Sequence, residues 1–300
     1  MKNNITKKIV IGTWPLSGDF GKINTKDCEK ILEHAVSKGF YEFDTAPNYG
    51  KGKIQKILSK VHRINKNLRI NTKCGYNKNF QKTFKEQDIL DSVKKSLDLF
   101  GSINILYLHN PRNEIKNWDK IIDLLNDLKK KKLIKFTGIS LARDYKYSSG
   151  ILNKFDNIQD EINLLRHPKT TNLKKLKKDV YARSPYASGI LNSNFSVKKK
   201  FQLGDHRKSW LTEKRIKNIY SQKKMLEKIC NGNIEEYALK FVLKSSYIKK
   251  VIVGVKKIHH IDFIKETHNK NNIKITKNFI KDLNQIYDMN FGLDKKEKLY

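Results

Sequence analysis

Three hundred residues with 63 Lys and Arg against 30 Asp and Glu give a formal charge of +33. A balance like that invites a polyanion, but only eight of the basic residues are Arg, and the lysines run through the whole chain beside abundant Asn and Ile. Codon bias toward AT-rich triplets accounts for such a composition, so the charge reads as solvated surface lysine, with no specific nucleic-acid partner and no membrane partner.

In chain order, short apolar runs alternate with stretches of 3.6-residue periodicity. The first run, Lys8–Thr13, is broken at Pro15 and Gly18, too early for a secretion signal. A helix follows over Thr25–Lys38, capped near Thr25 and closed by Gly39, with Ile31, Leu32, Ala35 and Val36 on its inner face. The second run, Tyr41–Asp44, leads through a loop to a helix entered at Gly50. Arg69–Lys73 comes third, ahead of a helix over Gln87–Phe100 with Leu90, Val93, Leu97 and Phe100 in register. Ile103–His109 is fourth, followed by Trp118–Lys130 with Ile121, Ile122, Leu124, Leu125 and Leu128. The runs Phe136–Ser140, Ile158–Asn163, Val180–Ser184 and Val251–Gly254 bring the set to eight.

Strand and helix in alternation imply a parallel sheet, and eight such units without a linker favour closure into a (β/α)8 TIM barrel, one α/β domain over residues 1–300. The absence of GxGxxG between the first run and the first helix argues against the open dinucleotide-binding sheet. The rhythm breaks once, in a long insertion after strand 7 that spans Tyr186–Gly232 and carries an amphipathic stretch, Leu211–Ile229. A connection of that length is expected at the C-terminal face, where barrel sites are built. No run approaches the roughly 18 apolar residues of a spanning helix. The three cysteines, Cys28, Cys74 and Cys230, fit neither a disulfide framework nor a zinc module. A cytoplasmic protein without a metal site is expected.

Polar residues that end apolar strands point into the shared mouth of a barrel. Asp44, Lys73 and His109 end runs two, three and four, and Tyr49 follows Asp44 in the adjoining loop. A phenol, an ammonium, a carboxylate and an imidazole at one mouth form a proton-transfer set. The ammonium is expected to lower the phenol pKa from about 10, and a neutral His109 would orient a carbonyl oxygen. No nucleophile–base pair, carboxylate pair or metal spacing competes. The expected chemistry is proton donation to a developing alkoxide, with hydride from a cofactor.

Here the chain resembles the aldo-keto reductase family. The resemblance rests on GTW (12–14), FDTAPNYG (43–50), the strand ending at Lys73, LYLHNP (106–111), GISL (138–141), IQDEINLL (158–165), RSPYASGIL (183–191) and VIVGVKK (251–257), all in the family's order. It implies an NAD(P)H-dependent enzyme that reduces an aldehyde or ketone, with Asp44, Tyr49, Lys73 and His109 catalytic and Tyr49 the general acid. It also implies that Ser140 and Gln159 hold the nicotinamide carboxamide and that Arg183 lies beside the ring. Ser184, Pro185, Ser188 and Leu191 would follow the pyrophosphate; Gly254, Lys256, Lys257 and His260 would meet the adenosine phosphate. Gly12 and Thr13 would border the cofactor, and Trp14 would wall the substrate pocket. Two departures stand out: Leu141 replaces the usual Asn of GxSN, and KKIHHIDFIKE lacks the family's Arg and Gln-x-x-Glu-Asn. The paired lysines lean toward NADPH, with NADH the alternative. The substrate is a small carbonyl compound; Asn77, Asn79, Asp205, His206 and Arg207 in the surrounding loops suit a sugar-like one better than a steroid. The competing function is a cofactor-binding regulatory barrel subunit with little turnover, against which the intact set of four argues.

Overall fold

A computed structural model describes residues 5–143, 145–166, 172–270 and 273–289. Its elements are β1 (Ile9–Gly12), α1 (Thr25–Ser37), β2 (Glu42–Asp44), α2 (Lys53–Ile64), β3 (Arg69–Cys74), α3 (Glu86–Phe100), β4 (Ile103–His109), α4 (Trp118–Lys130) and β5 (Ile134–Ser140). They continue with α5 (Ser149–Leu152), β6 (Asn157–Glu161), β7 (Asp179–Arg183), α6 (Glu213–Ile229), α7 (Ile234–Lys244), β8 (Ile248–Gly254), α8 (Ile258–Asn269) and α9 (Lys277–Asp288). The strands close in sequence order into one parallel barrel, with β8 paired to β1. The expected (β/α)8 fold is the fold observed.

Parallel strands covered by helices are buried on both faces, which is why β1 reads Ile-Val-Ile-Gly with every residue buried. Alternation divides the side chains between two cores. Outward residues such as Ile9, Ile11, Leu106 and Leu108 pack under the helices in the larger one. Val10, Ile105, Tyr107, Tyr181 and Ile252 form a separate, smaller cluster, the filling of the barrel interior. Tyr107 lies so close to β5 that a Cβ on Gly138 would sit 2.5 Å from its ring. Below this layer the buried Glu42 carboxylate accepts from Arg69 Nε at 3.1 Å, Asn71 Nδ2 at 3.0 Å and Lys250 Nζ.

The same parity sets the site. One inward step beyond Tyr107 is His109; one beyond Asn71 is Lys73; one beyond Glu42 is Asp44. In register across the sheet, His109 pairs with Ser140 and Ser140 with Gln159. Each inward position at the C-terminal rim is polar or glycine.

Several local expectations differ from the structure. The cap of α1 is Asn24, whose side chain accepts from Asp27 N, and Thr25 is already helical. Leu90 is exposed, and α3 buries Ile89, Ser92, Val93, Ser96 and Phe100 instead. Small serines occupy that face because a polar seam runs beneath it, with Gln55 Nε2 donating to Thr72 Oγ1 at 2.8 Å and Ser96 Oγ at 3.3 Å. β5 and β8 begin earlier than their apolar runs suggest, because Lys135 and Lys249 are exposed residues within true strands. β6 ends at Glu161 rather than Asn163. Among the described residues no helix is long and apolar enough to cross a membrane, and no cluster of His, Cys, Asp or Glu suits a metal ion.

Candidate active site

The rim encloses a cavity of about 1050 Å³ lined by Asp44, Tyr49, Lys73 and His109. Lys73, 2% exposed, donates to Asp44 Oδ1 and to Thr45 O at 3.0 Å. Its Nζ lies 5.1 Å from the centroid of the Tyr49 ring. The other Asp44 oxygen accepts from Gln159 Nε2 at 2.8 Å, and Gln159 Oε1 accepts from Ser140 Oγ at 3.0 Å. Asn110, with its amide nitrogen toward β5, donates to Ser140 Oγ at 3.0 Å and to Leu141 O at 3.2 Å. An unbroken hydrogen-bonded line therefore runs Asn110, Ser140, Gln159, Asp44, Lys73.

The electrostatics follow from this pairing. Burial and the Asp44 charge hold the Tyr49 phenol well above its ordinary pKa. That reverses the lowering expected from the sequence: Asp44 neutralises the ammonium, leaving desolvation to dominate. The phenol keeps its proton. Burial pulls the Lys73 amine down from its ordinary value while Asp44 pulls it back up. His109 is held well below its ordinary range by burial and by Lys73, Lys82 and Arg183, so its ring is neutral. Its Nδ1 is buried without a hydrogen-bond partner. Trp14 stacks on Tyr49 with centroids 6.2 Å apart, and its indole N–H donates to Asp19 at 2.7 Å.

Gly12, Ser140, Gln159, Arg183, Ser184, Pro185, Ser188, Gly254, Lys256, His260 and Trp14 also line the cavity. Three residues expected beside the cofactor do not. Thr13 is fully buried, its hydroxyl donating to Asp44 O at 3.0 Å. Leu191 is fully buried in the core. Lys257 is exposed at the N-cap of α8. Lys256 Nζ donates to Phe20 O at 2.5 Å and Gly21 O at 2.9 Å, tying the end of β8 to the loop after β1. Gly254 is required there, because a Cβ would stand 2.8 Å from Pro15 Cγ.

The loop after β7 has left-handed backbone at Ser184 (φ 56°), Ala187 (φ 48°), Ser188 (φ 57°) and Gly189 (φ 88°). Three non-glycine residues in that region are locally strained, a feature that gathers at binding sites. Turns of this kind form concavities of backbone N–H groups that suit anions, and the N–H groups of Ser184 and Ser188 take no part in the bonds that close these turns. Arg183 adds a guanidinium whose Nε is buried without a partner. This donor set fits the pyrophosphate and carboxamide of a nicotinamide dinucleotide, apart from Leu141, which offers no amide.

Other residues complete the site: Asn110, Arg143, Glu161, Trp210 and Arg215, which the sequence reading passed over, and His206 and Arg207, which it placed in the surrounding loops. Asn110 has φ 51°, and its Asn-Pro step is a turn signal that could have drawn notice. Arg143 and Glu161 form a bidentate pair at 2.9–3.1 Å. From the insertion, His206, Arg207, Trp210 and Arg215 line the cavity, and His206 N donates to Asp19 O at 2.8 Å. Asn77, Asn79 and Asp205 do not line it. Asn77 Oδ1 accepts from Asn79 N and Gln81 N within its own loop, and Asp205 holds Arg207 at 2.6 Å.

A closed parallel barrel with a proton-transfer set at its C-terminal rim is the form of a barrel oxidoreductase. The sequence profile of the Aldo/keto reductase family matches residues 8–288, and the chain belongs to that family. Its members act on small carbonyl compounds, generally with nicotinamide cofactors, and this chain is an oxidoreductase. The fold is similar to that of a glycerol dehydrogenase from Gluconobacter oxydans, at 19% identity and TM-score 0.77, covering 93% of this chain and 90% of that one. It is also similar to an aldo-keto reductase from Bacillus halodurans in its holo form, at 17% identity and TM-score 0.75, covering 97% and 95%. No curated protein sequence matches the chain.

Proposed function

We propose that the protein reduces an aldehyde or ketone to the alcohol with Tyr49 as general acid, using NADPH in preference to NADH. The observation that carries this reading is the buried Lys73–Asp44–Gln159–Ser140 line beside a protonated phenol and a neutral imidazole in one cavity. Arg183, Gln159, Ser140 and the backbone of Ser184 and Ser188 would hold the dinucleotide, and Asn110 supplies near β5 the amide that Leu141 lacks. When bound, the nicotinamide supplies hydride to the carbonyl carbon. Tyr49 gives its proton to the oxygen as negative charge develops there, and Lys73 stabilises the phenolate left behind. Asp44 keeps Lys73 charged and aimed. His109, neutral, donates an N–H to the carbonyl oxygen and fixes its direction. Trp14 and Phe20 narrow the opening to water. The preference for NADPH rests on the N-terminus of α8, with Lys257 exposed at its N-cap and Lys256 on the cavity wall adding positive charge that favours the extra phosphate.

Tyr49→Phe removes the acid while leaving the ring stacked on Trp14. Turnover with NADPH and an aldehyde panel should fall about 10²- to 10⁴-fold, with NADPH affinity by fluorescence titration little changed. Full activity in this variant would refute the assignment.

A further inference from the structure

Only eight arginines occur in a chain otherwise served by lysine, yet Arg112, Arg143, Arg183, Arg207 and Arg215 all line the active cavity. Lysine supplies charge as well as arginine does; what it lacks is the planar fork that grips carboxylate or phosphate in two places. On the side formed by β5, β6, β7 and the insertion, several guanidiniums gather around one carboxylate. Glu161 accepts from Arg143 at 2.9 Å and Arg183 at 3.3 Å and lies 3.6 Å from Arg166. Arg215 adds a fourth guanidinium, and no carboxylate among the described residues lies within 4 Å of it. Among the described residues, then, Arg143, Arg166 and Arg183 lie within 4 Å of Glu161, Asp160 acts on Arg166 and Arg183, and Arg215 has neither.

Arg215 is the most exceptional of the four. It sits in the first turn of α6, where the helix dipole disfavours a cation. Its guanidinium carbon lies 5.8 Å from the Trp210 ring, and that of Arg143 lies 5.7 Å from the same ring. Two like charges thus share one indole at the cavity wall. Among the described residues Arg215 NH1 reaches Trp210 O alone, at 3.4 Å, and its Nε is buried without a partner. The unpartnered Nε and the place in the first turn of α6 leave Arg215 short of an acceptor, and an anion on the Arg143–Trp210–Arg215 wall would supply one.

We infer that this wall is an anion subsite and that the carbonyl substrate carries a carboxylate or phosphate group away from its reacting carbon. The inference rests on the reductase reading for its substrate and on Arg143, Trp210 and Arg215 for its subsite. The test pairs each charged aldehyde with a neutral one: 4-oxobutanoate with butanal, and glyceraldehyde 3-phosphate with glyceraldehyde. The charged member should have the lower KM, and the pair with the wider split identifies carboxylate or phosphate. Arg215→Gln should shrink that KM ratio about 10- to 100-fold, the worth of one charge-assisted hydrogen bond. If Arg215 merely props Trp210, the variant will shift both members together and leave the ratio intact, and the subsite is refuted. Equal KM values in the wild-type protein refute it as well. Should no aldehyde turn over, the reductase reading fails, and calorimetric titration with succinate and inorganic phosphate decides the subsite separately. Binding lost in Arg215→Gln upholds it; binding absent from the wild-type protein, or equal in both, overturns it.

Discussion

Asp44→Asn isolates the electrostatics of the rim, because it keeps the shape of the side chain and removes one charge. Among the described residues Asp44 is the one carboxylate within 4 Å of Lys73, which is 2% exposed. In the variant the amine is a buried cation without a counter-ion, a situation that typically destabilises by about 3–5 kcal/mol. A second route gives the same size. The folded variant can always release the proton, and doing so at pH 7 from an amine of pKa about 10.4 costs about 1.4 kcal/mol per pH unit, a ceiling of about 4–5 kcal/mol. The two routes differ in their pH signature. If Lys73 deprotonates on folding, the unfolded variant binds one proton more than the folded variant, so its stability rises with pH. The deficit against wild type should then shrink by about 1.4 kcal/mol per unit between pH 7 and 9. Urea unfolding at pH 7, 8 and 9 measures it. A loss below about 1 kcal/mol that does not change with pH would refute the buried pair, and with it the account of why the phenol keeps its proton.

Two further predictions concern the same barrel. Because His109 is held well below its ordinary pKa, the unfolded chain takes up a proton there that the folded chain refuses, and stability falls as pH drops below about 6.5. His109→Asn should flatten that slope by up to one proton, about 1.4 kcal/mol per pH unit; urea unfolding between pH 7.5 and 5.5 checks it, and an unchanged slope counts against the burial of the ring. Gly138→Ala drives a methyl group into the Tyr107 ring and should destabilise by about 1–3 kcal/mol, read from the urea midpoint.

Much of this was legible from parity and order. Once eight apolar runs are taken as strands of a closed sheet, the polar residues at their ends must meet, and Asp44, Lys73 and His109 do line one cavity. Helix phase was harder. The apolar count chose Leu90 in α3, while the buried stripe runs through Ser92 and Ser96, and a small polar residue is invisible to a hydrophobic pattern. Arg143, Glu161, Arg183 and Arg215 come from four separate places: the loop after β5, the ends of β6 and β7, and the first turn of α6. Ion pairs between the ends of different elements follow no period, so nothing short of the assembled barrel brings them together. The fate of the paired lysines was hidden for a related reason: neighbours in sequence, Lys256 and Lys257 diverge because one is claimed by the carbonyls of Phe20 and Gly21.

The left-handed turns after β7 have a consequence for how this loop tolerates change. Donors that belong to the main chain survive replacement of the side chains that decorate them, so the loop can vary in composition and keep the same concavity of amides. What it must preserve is torsion. Glycine or asparagine at positions 184, 187 and 188 would relieve strain, whereas valine or isoleucine would force the chain out of its curve and turn the amides out of the concavity without altering a single charge.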